Sequence, residues 1–358
     1  CKKRNSIIYT YTKYIITLAF PFAYFISGAQ SQYLKSTTEI SYGAGDVVTH
    51  AILDSHSKLW FATTNEGVYS YDGHSFTNYN QDNGLCSNDV WYILEDHKGL
   101  LYFATTNGLC VYDGVTFHHI PLPEHNNELR SPETGFPSRE TQTISCLYLD
   151  KKNNLWIGTD ASGAYKYDGK TFTPFLQFSG RIHPEDSVYS NCITSILEDT
   201  EGNIWFTSMT HGGISRYDGS QIKQFTVEDG ILGDMVRSGF MDKSGTLWFG
   251  SIQNINGGIS VFHGTSFTNY TTADGLCDSN VACFYQDDSG LIWIGTGNGV
   301  CYFDGTTFHP FTYNDNNLGD IRFILEDTKG HLWLGGRYGL LVRYDGDTFT
   351  DFTQLKRE

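Results

Sequence analysis

Apolar residues recur along this chain in short runs, not at helical spacing, and the runs come in a repeating set of four. The first run of each set opens on a β-branched residue, at Val48, Val90, Ile144, Ile193, Val236, Val281 and Ile321. It continues apolar at successive positions, as in Val90-Trp-Tyr-Ile-Leu94. Runs without alternation predict strands covered on both faces. The second run is of the Leu-Trp-Phe kind, Leu59 to Thr63 in the first set; the third and fourth match Val68 to Tyr71 and Phe76 to Tyr79. Six residues after each opening residue stands an aspartate: Asp54, Asp96, Asp150, Asp199, Asp242, Asp287 and Asp327. Six further on stands a large aromatic: Trp60, Tyr102, Trp156, Trp205, Trp248, Trp293 and Trp333.

The residues between runs are turn residues. In the Asp-x-x-Gly stretch after the first run, the carboxylate accepts backbone N–H groups and the glycine takes positive φ. Gly99, Gly202, Gly245, Gly290 and Gly330 fill that slot, with Asn153 and Ser57 standing in. Asp-Gly pairs at Asp72, Asp113, Asp168, Asp218, Asp304 and Asp345 precede the fourth run, a strong hairpin pattern. These aspartates recur for chain reversal and not for catalysis. A fixed period of about 40 to 50 residues outranks other clues to architecture. The reading is all-β, a seven-bladed β-propeller of four-stranded antiparallel blades. The blades run over approximately 47–88, 89–142, 143–191, 192–234, 235–279, 280–319 and 320–358, with the Trp/Tyr series filling the gaps between them. Residues 30–46 form a lead-in whose Glu39-Ile-Ser-Tyr42 is a possible closing strand.

Composition agrees: 15% aromatic, 18% charged, and 38 Gly against 8 Pro, a turn-rich β chain and not a disordered one. The first 29 residues differ. A basic leader (Lys2, Lys3, Arg4, Lys13) precedes the apolar, Pro21-broken stretch Tyr14 to Ile26, and Ser27 and Ala29 supply small residues. Residues 1–29 therefore read as a secretory signal peptide, cut after Ala29 or Ser31, with an uncleaved anchor as the alternative. Cys1 stands where an initiator Met is usual; a lipid-bearing cysteine would follow the apolar stretch and not precede it. The whole chain has a formal charge of −16, and removing the four leader cations leaves 20 basic against 40 acidic residues, −20. Such a field repels nucleic acid and anionic lipid. Beyond Cys1 there are seven cysteines without a CxxC pair. Cys110, Cys146, Cys192, Cys283 and Cys301 read as small buried hydrophobes. Cys86 and Cys277, both in Gly-Leu-Cys loops of non-adjacent copies, are not expected to join each other.

The string Ile-Leu-Glu-Asp-Thr-Glu-Gly-Asn-Ile-Trp-Phe-Thr-Ser (196–208), ending in Gly-Ile-Ser-Arg-Tyr-Asp-Gly (213–219), resembles the two-component regulator propeller repeat. The resemblance covers about 47–353 and seven copies. It implies the periplasmic sensing part of a bacterial hybrid two-component system, often for oligosaccharides and typically followed by a small β-sandwich, a membrane helix and a histidine kinase. This chain carries no kinase motif, and it has one ring of repeats where many relatives have two. It reads as a fragment of a longer sensor or as a single-ring secreted relative, with a downstream sensor kinase or second propeller as possible partner.

Function is sought where the copies differ. The loops between second and third strands and the links between blades share one face, and the length variation lies there, in Ile120 to Thr141, Pro174 to Ser190 and Ser251 to Gly257. The second residue of each first strand reads Thr49, Trp91, Ser145, Thr194, Arg237, Ala282 and Arg322. Arg237 and Arg322 offer forked donors and Trp91 a stacking face at a channel mouth. His211, Arg337 and Tyr338 on nearby loops, and Arg181 and His183 on an insertion, complete the candidate ligand site. The bland alternative pairs these arginines with Asp234 and Asp320. No serine elbow, HExxH or nucleotide loop is present, His118-His119 read as surface residues, and neither cofactor nor metal is expected. The reading is an exported ligand-sensing module for a carbohydrate-like or other small ligand. The alternatives are a lyase or hydrolase acting on a polysaccharide, and a protein-interaction scaffold.

Overall fold

Strands form where the pattern puts them. The seven first strands are Val48–Leu53, Val90–Glu95, Ile144–Leu149, Ile193–Glu198, Val236–Met241, Val281–Gln286 and Ile321–Glu326. Each leads an antiparallel sheet of four strands in sequence order. The computed structural model describes residues 36–37, 40–42, 46–123, 142–160, 162–176, 192–209, 212–252, 257–313 and 317–355. Successive first strands pack on one another and the seventh packs on the first, so the circuit closes with seven blades.

Each gap between blades holds its own core. Trp60 of blade one meets Val90 and Phe103 of blade two, and Ala104 and Leu109 of blade two meet Ile144 and Ile157 of blade three. Trp156 meets Ile193 and Phe206, Trp205 meets Val236 and Phe249, and Trp248 meets Val281 and Ile294. Trp293 meets Ile321 and Leu334, and Trp333 closes the ring against Phe61 and Tyr71. Six of the seven second strands, such as Leu59–Thr63, are buried at every residue, and in Leu101–Thr105 only Tyr102 is less than buried. The first strands, each packed between the first strands of two neighbouring blades, are the free inner edge of their sheets and are buried only in part.

The Asp-to-aromatic spacing has a direct cause. Trp Nε1 donates to the aspartate six residues earlier in six blades, for example Trp205 to Asp199 Oδ2 at 2.8 Å and Trp60 to Asp54 Oδ2 at 2.8 Å. Tyr102 does the same to Asp96 through its hydroxyl at 3.2 Å. The other carboxylate oxygen takes turn N–H groups, as from Glu201 and Asn203 at 2.9 Å. One side chain thus fixes the turn and anchors the indole that fills the gap. The Asp-Gly turns behave as expected, Asp218 Oδ1 accepting from Ser220 and Gln221 at 2.8 Å.

The lead-in straddles the seam. Ser36–Thr37 adds an antiparallel strand to blade one, Ser36 opposite Thr77. Ile40–Tyr42 pairs in parallel with Thr353–Leu355, past the last strand of blade seven. Val47 bridges Arg337, and Gly339 N–H donates to the Asp46 carbonyl at 3.1 Å.

Two cysteine assignments need correction. Cys110 and Cys301 are not free thiols: Cys86 bonds Cys110 and Cys277 bonds Cys301. Each disulfide ties the link entering a blade to that blade's third strand. Both links hold a short 3-10 turn capped by Asn80 or Thr271 and ended by Gly84 or Gly275 in left-handed geometry. The turn seats Leu85 or Leu276 in the gap and brings the next residue, the cysteine, to the sheet. Blade five has the same link without cysteines, and there the Leu232 N–H donates to Ser260 Oγ at 3.0 Å. Cys146, Cys192 and Cys283 stand outside these two disulfides, and Cys146 and Cys192 are buried.

Candidate functional site

Register in all seven first strands slips at one place. Val48 lies opposite Thr63 and His50 opposite Ala62, leaving Thr49 without a partner of its own. The same slip sets apart Trp91, Ser145, Thr194, Arg237, Ala282 and Arg322. Each is the extra residue of a β-bulge, a device that re-aims a side chain out of the ladder. The series singled out by comparing copies is therefore a backbone feature, repeated at one level around the ring.

Three of the seven are fasteners. Thr49 Oγ1 donates to the Val90 carbonyl at 2.7 Å, Thr194 Oγ1 to that of Val236 at 2.9 Å, and Ser145 Oγ to that of Ile193. Each acceptor is the opening residue of the next blade. The sequence held a hint, since all three carry hydroxyls, but no single copy reveals a bond that crosses to its neighbour.

Arg237, Arg322 and Arg337 come together around one carboxylate. Arg322 Nη2 meets Asp320 Oδ2 at 2.6 Å, and Arg337 Nε meets the same oxygen at 3.1 Å. The alternative pairing with Asp320 is thus realised for Arg322, while Asp234 accepts the Val227 N–H at 3.2 Å. The Arg322 side chain is only 9% exposed, and its Nε has no partner. Arg237 makes no hydrogen bond or ion pair among the described residues. Burial pushes its guanidinium below the ordinary value, Asp320 pulls it back, and Arg337 pushes it further down. Burial also raises the Asp320 carboxyl, against the pull of Arg237 and Arg337. Arg322 and Arg337 share the Asp320 carboxylate, while Arg237 and Asp278 lie near enough to act on it electrostatically without bonding it.

Trp91, on blade two, is 39% exposed, and no contact joins it to the arginines among the described residues. Beside it His50 stacks on Tyr92 with ring centroids 3.7 Å apart. Burial pushes the His50 imidazole down to about 3, which favours its neutral form. Tyr338 is 65% exposed, next to Arg337, with φ of 60°. His211, Arg181 and His183 lie outside the described residues, as do most of the two long insertions. His118 faces Asp113 at 3.3 Å on the surface. Among the described residues no cluster of His, Cys, Asp or Glu is set to hold a metal, and no helix is long and apolar enough to cross a membrane. On the opposite, aspartate-turn face a groove of ≈ 450 Å³ lies between Phe240, Met241, Lys243 and Tyr285, which the sequence did not suggest.

The architecture defines the class: a seven-bladed β-propeller with a ring of bulged residues at one mouth. Segments 84–107, 138–161, 190–210 and 275–298 match the family model described as Two component regulator propeller. No curated protein sequence matches the chain significantly. Among solved structures it is similar to the extracellular domain assigned to the hybrid two component system BT3049 of B. thetaiotaomicron. That likeness has a TM-score of 0.67 and 22% identity, and covers 85% of this chain. It spans 39% of that domain, so this chain corresponds to less than half of it. A streptogramin B lyase shares the fold with a TM-score of 0.61 and 15% identity, over 85% of this chain and 96% of the lyase. PorZ of Porphyromonas gingivalis shares it with a TM-score of 0.52 and 16% identity, over 81% and 45%.

Proposed function

We propose that this propeller is the exported input module of a two-component signalling system, binding a carbohydrate-like or other small ligand at the bulge-lined mouth. The observation that carries the reading is the split among the bulged residues. Hydroxyls at three positions fasten blades, whereas Trp91, Arg237 and Arg322 do no such work and offer stacking and forked donors instead. The repeat family, the leader pattern and two disulfides, which persist in oxidising compartments, support export and a sensory role. Signalling would proceed by population shift, the bound ligand favouring one arrangement of mouth loops and so altering a downstream kinase or second propeller.

Isothermal titration of the purified chain against a panel of neutral and acidic oligosaccharides tests this. Saturable binding with every probe recovered unchanged is expected, and its loss in the Arg237→Ala, Arg322→Ala double variant locates it. Unchanged affinity in that variant removes the site. Cleaved probe would instead make the chain a lyase or hydrolase.

A further inference from the structure

Asp320 holds two guanidiniums through a single oxygen, Oδ2, while a third beside them, that of Arg237, makes no hydrogen bond or ion pair among the described residues. A buried arginine with an unspent donor is costly unless something uses it, because each unpaired buried polar group loses its hydration without return. The buried donor without a partner here is Arg322 Nε, and the half-buried Arg237 makes no hydrogen bond or ion pair among the described residues. Arg337 is half exposed, at 54%, so the cluster opens to solvent on one side. Planar forked donors match the planar two-oxygen face of a carboxylate. The group already gripped by this cluster is itself a carboxylate.

We infer that the ligand of this mouth bears a carboxylate, which binds Arg237 and competes with Asp320 for Arg322 and Arg337. The inference rests on the reading of the mouth as a ligand site and narrows it to acidic ligands. Asp320 then acts as an internal competitor: it keeps the arginines ordered, weakens adventitious anion binding, and sets the threshold for the true ligand. Because Arg337 also bridges Val47 at the ring seam, a carboxylate that draws Arg337 from Asp320 acts where blade seven meets blade one.

The test is titration with four probes: trigalacturonate, its methyl ester, neutral galactotriose and citrate. Trigalacturonate and citrate are the sugar and non-sugar sources of the same group, and binding of either by the wild type supports the inference and tells them apart. The methyl ester is expected to bind at least about tenfold more weakly than trigalacturonate, and Arg237→Gln to lose at least about tenfold in affinity for the acid. Asp320→Asn is expected to tighten acid binding about tenfold by removing the competitor, a gain that mere structural damage would not produce. Thermal melts of both variants within about 4 °C of the wild type confirm folding. Failure of both acids to bind more tightly than about 1 mM overturns the inference, as does weaker binding in Asp320→Asn. Equal binding of galactotriose and trigalacturonate, both lost in Arg237→Gln, would overturn the acidic ligand while leaving the ligand site intact.

Discussion

Replacing Asp199 by Asn keeps the shape of the side chain but removes its charge and turns one acceptor into a donor. Asp199 Oδ2 takes Trp205 Nε1 and Asn203 Nδ2, each at 2.8 Å, while Oδ1 takes the N–H groups of Glu201 and Asn203 at 2.9 Å. Asp199 is 8% exposed and Trp205 1%, so water cannot replace the lost bonds cheaply. Asn can keep the two turn bonds through its oxygen, but its NH₂ then confronts the indole N–H and the Asn203 amide. A bond to a charged acceptor contributes about 1.5–3 kcal/mol, and a buried donor left alone costs about 1–3 kcal/mol, so Asp199→Asn should cost about 3–4 kcal/mol. In a Trp205→Phe background the indole donor is gone, and the same change should cost about 1.5–2 kcal/mol less. Equilibrium urea unfolding of the four proteins, followed by circular dichroism with matched slopes, gives the coupling. A coupling below about 0.5 kcal/mol would refute the claim that this bond sets the six-residue spacing.

Acid should unfold the ring in a narrow window. At Asp150, Asp199, Asp242, Asp287 and Asp327 burial raises the carboxyl, but indole, side-chain and turn N–H donors together hold it below the ordinary value. Turn donors hold Asp113, Asp218 and Asp345 down at about 2. Folded values below unfolded ones mean stability that is complete above about pH 4 and lost as pH falls toward the folded values; urea midpoints should be flat at higher pH and drop steeply below, and a midpoint that rises on acidification would contradict this. Replacing Cys86 and Cys110 by Ser opens a loop with a sequence separation of 24 and should lower stability by up to about 3–4 kcal/mol in a urea titration, with dithiothreitol giving the wild type a larger deficit because it also opens Cys277–Cys301. Thr194→Val should cost about 1 kcal/mol, since it removes the donor to the Val236 carbonyl at similar volume, whereas Ala282→Thr should cost little or add stability.

Much of the fold could be read in advance because blade architecture repeats. Strand starts, turn aspartates and the inter-blade Trp series each recur, and recurrence separates pattern from accident. The misreadings cluster where a contact crosses from one copy to the next. Cys86 belongs to the link leaving blade one and Cys110 to the third strand of blade two, so aligning copies sets them in different columns and hides their bond. The Thr49, Ser145 and Thr194 fasteners were hidden for the same reason. The Asp-to-Trp bond is within reach of the six-residue spacing, but in the sequence turn geometry alone accounts for the aspartate. At the mouth, two arginines were picked out by their column, yet only coordinates reveal that Asp320 serves both Arg322 and Arg337 and leaves Arg237 over. Trp91 shared the column and nothing else, because positions at one level of a ring need not be neighbours.

A ring of identical kinks separates what evolution can vary from what it must keep. The bulged residue in each innermost strand stands outside the ladder, so where it does not fasten a neighbouring blade its identity can change while the aromatic and carboxylate of the repeat stay fixed. Seven letters, spaced by the repeat, therefore amount to an address that can be rewritten without rebuilding the house. Relatives that recognise quite different molecules should differ most in those seven letters and in the linkers above them.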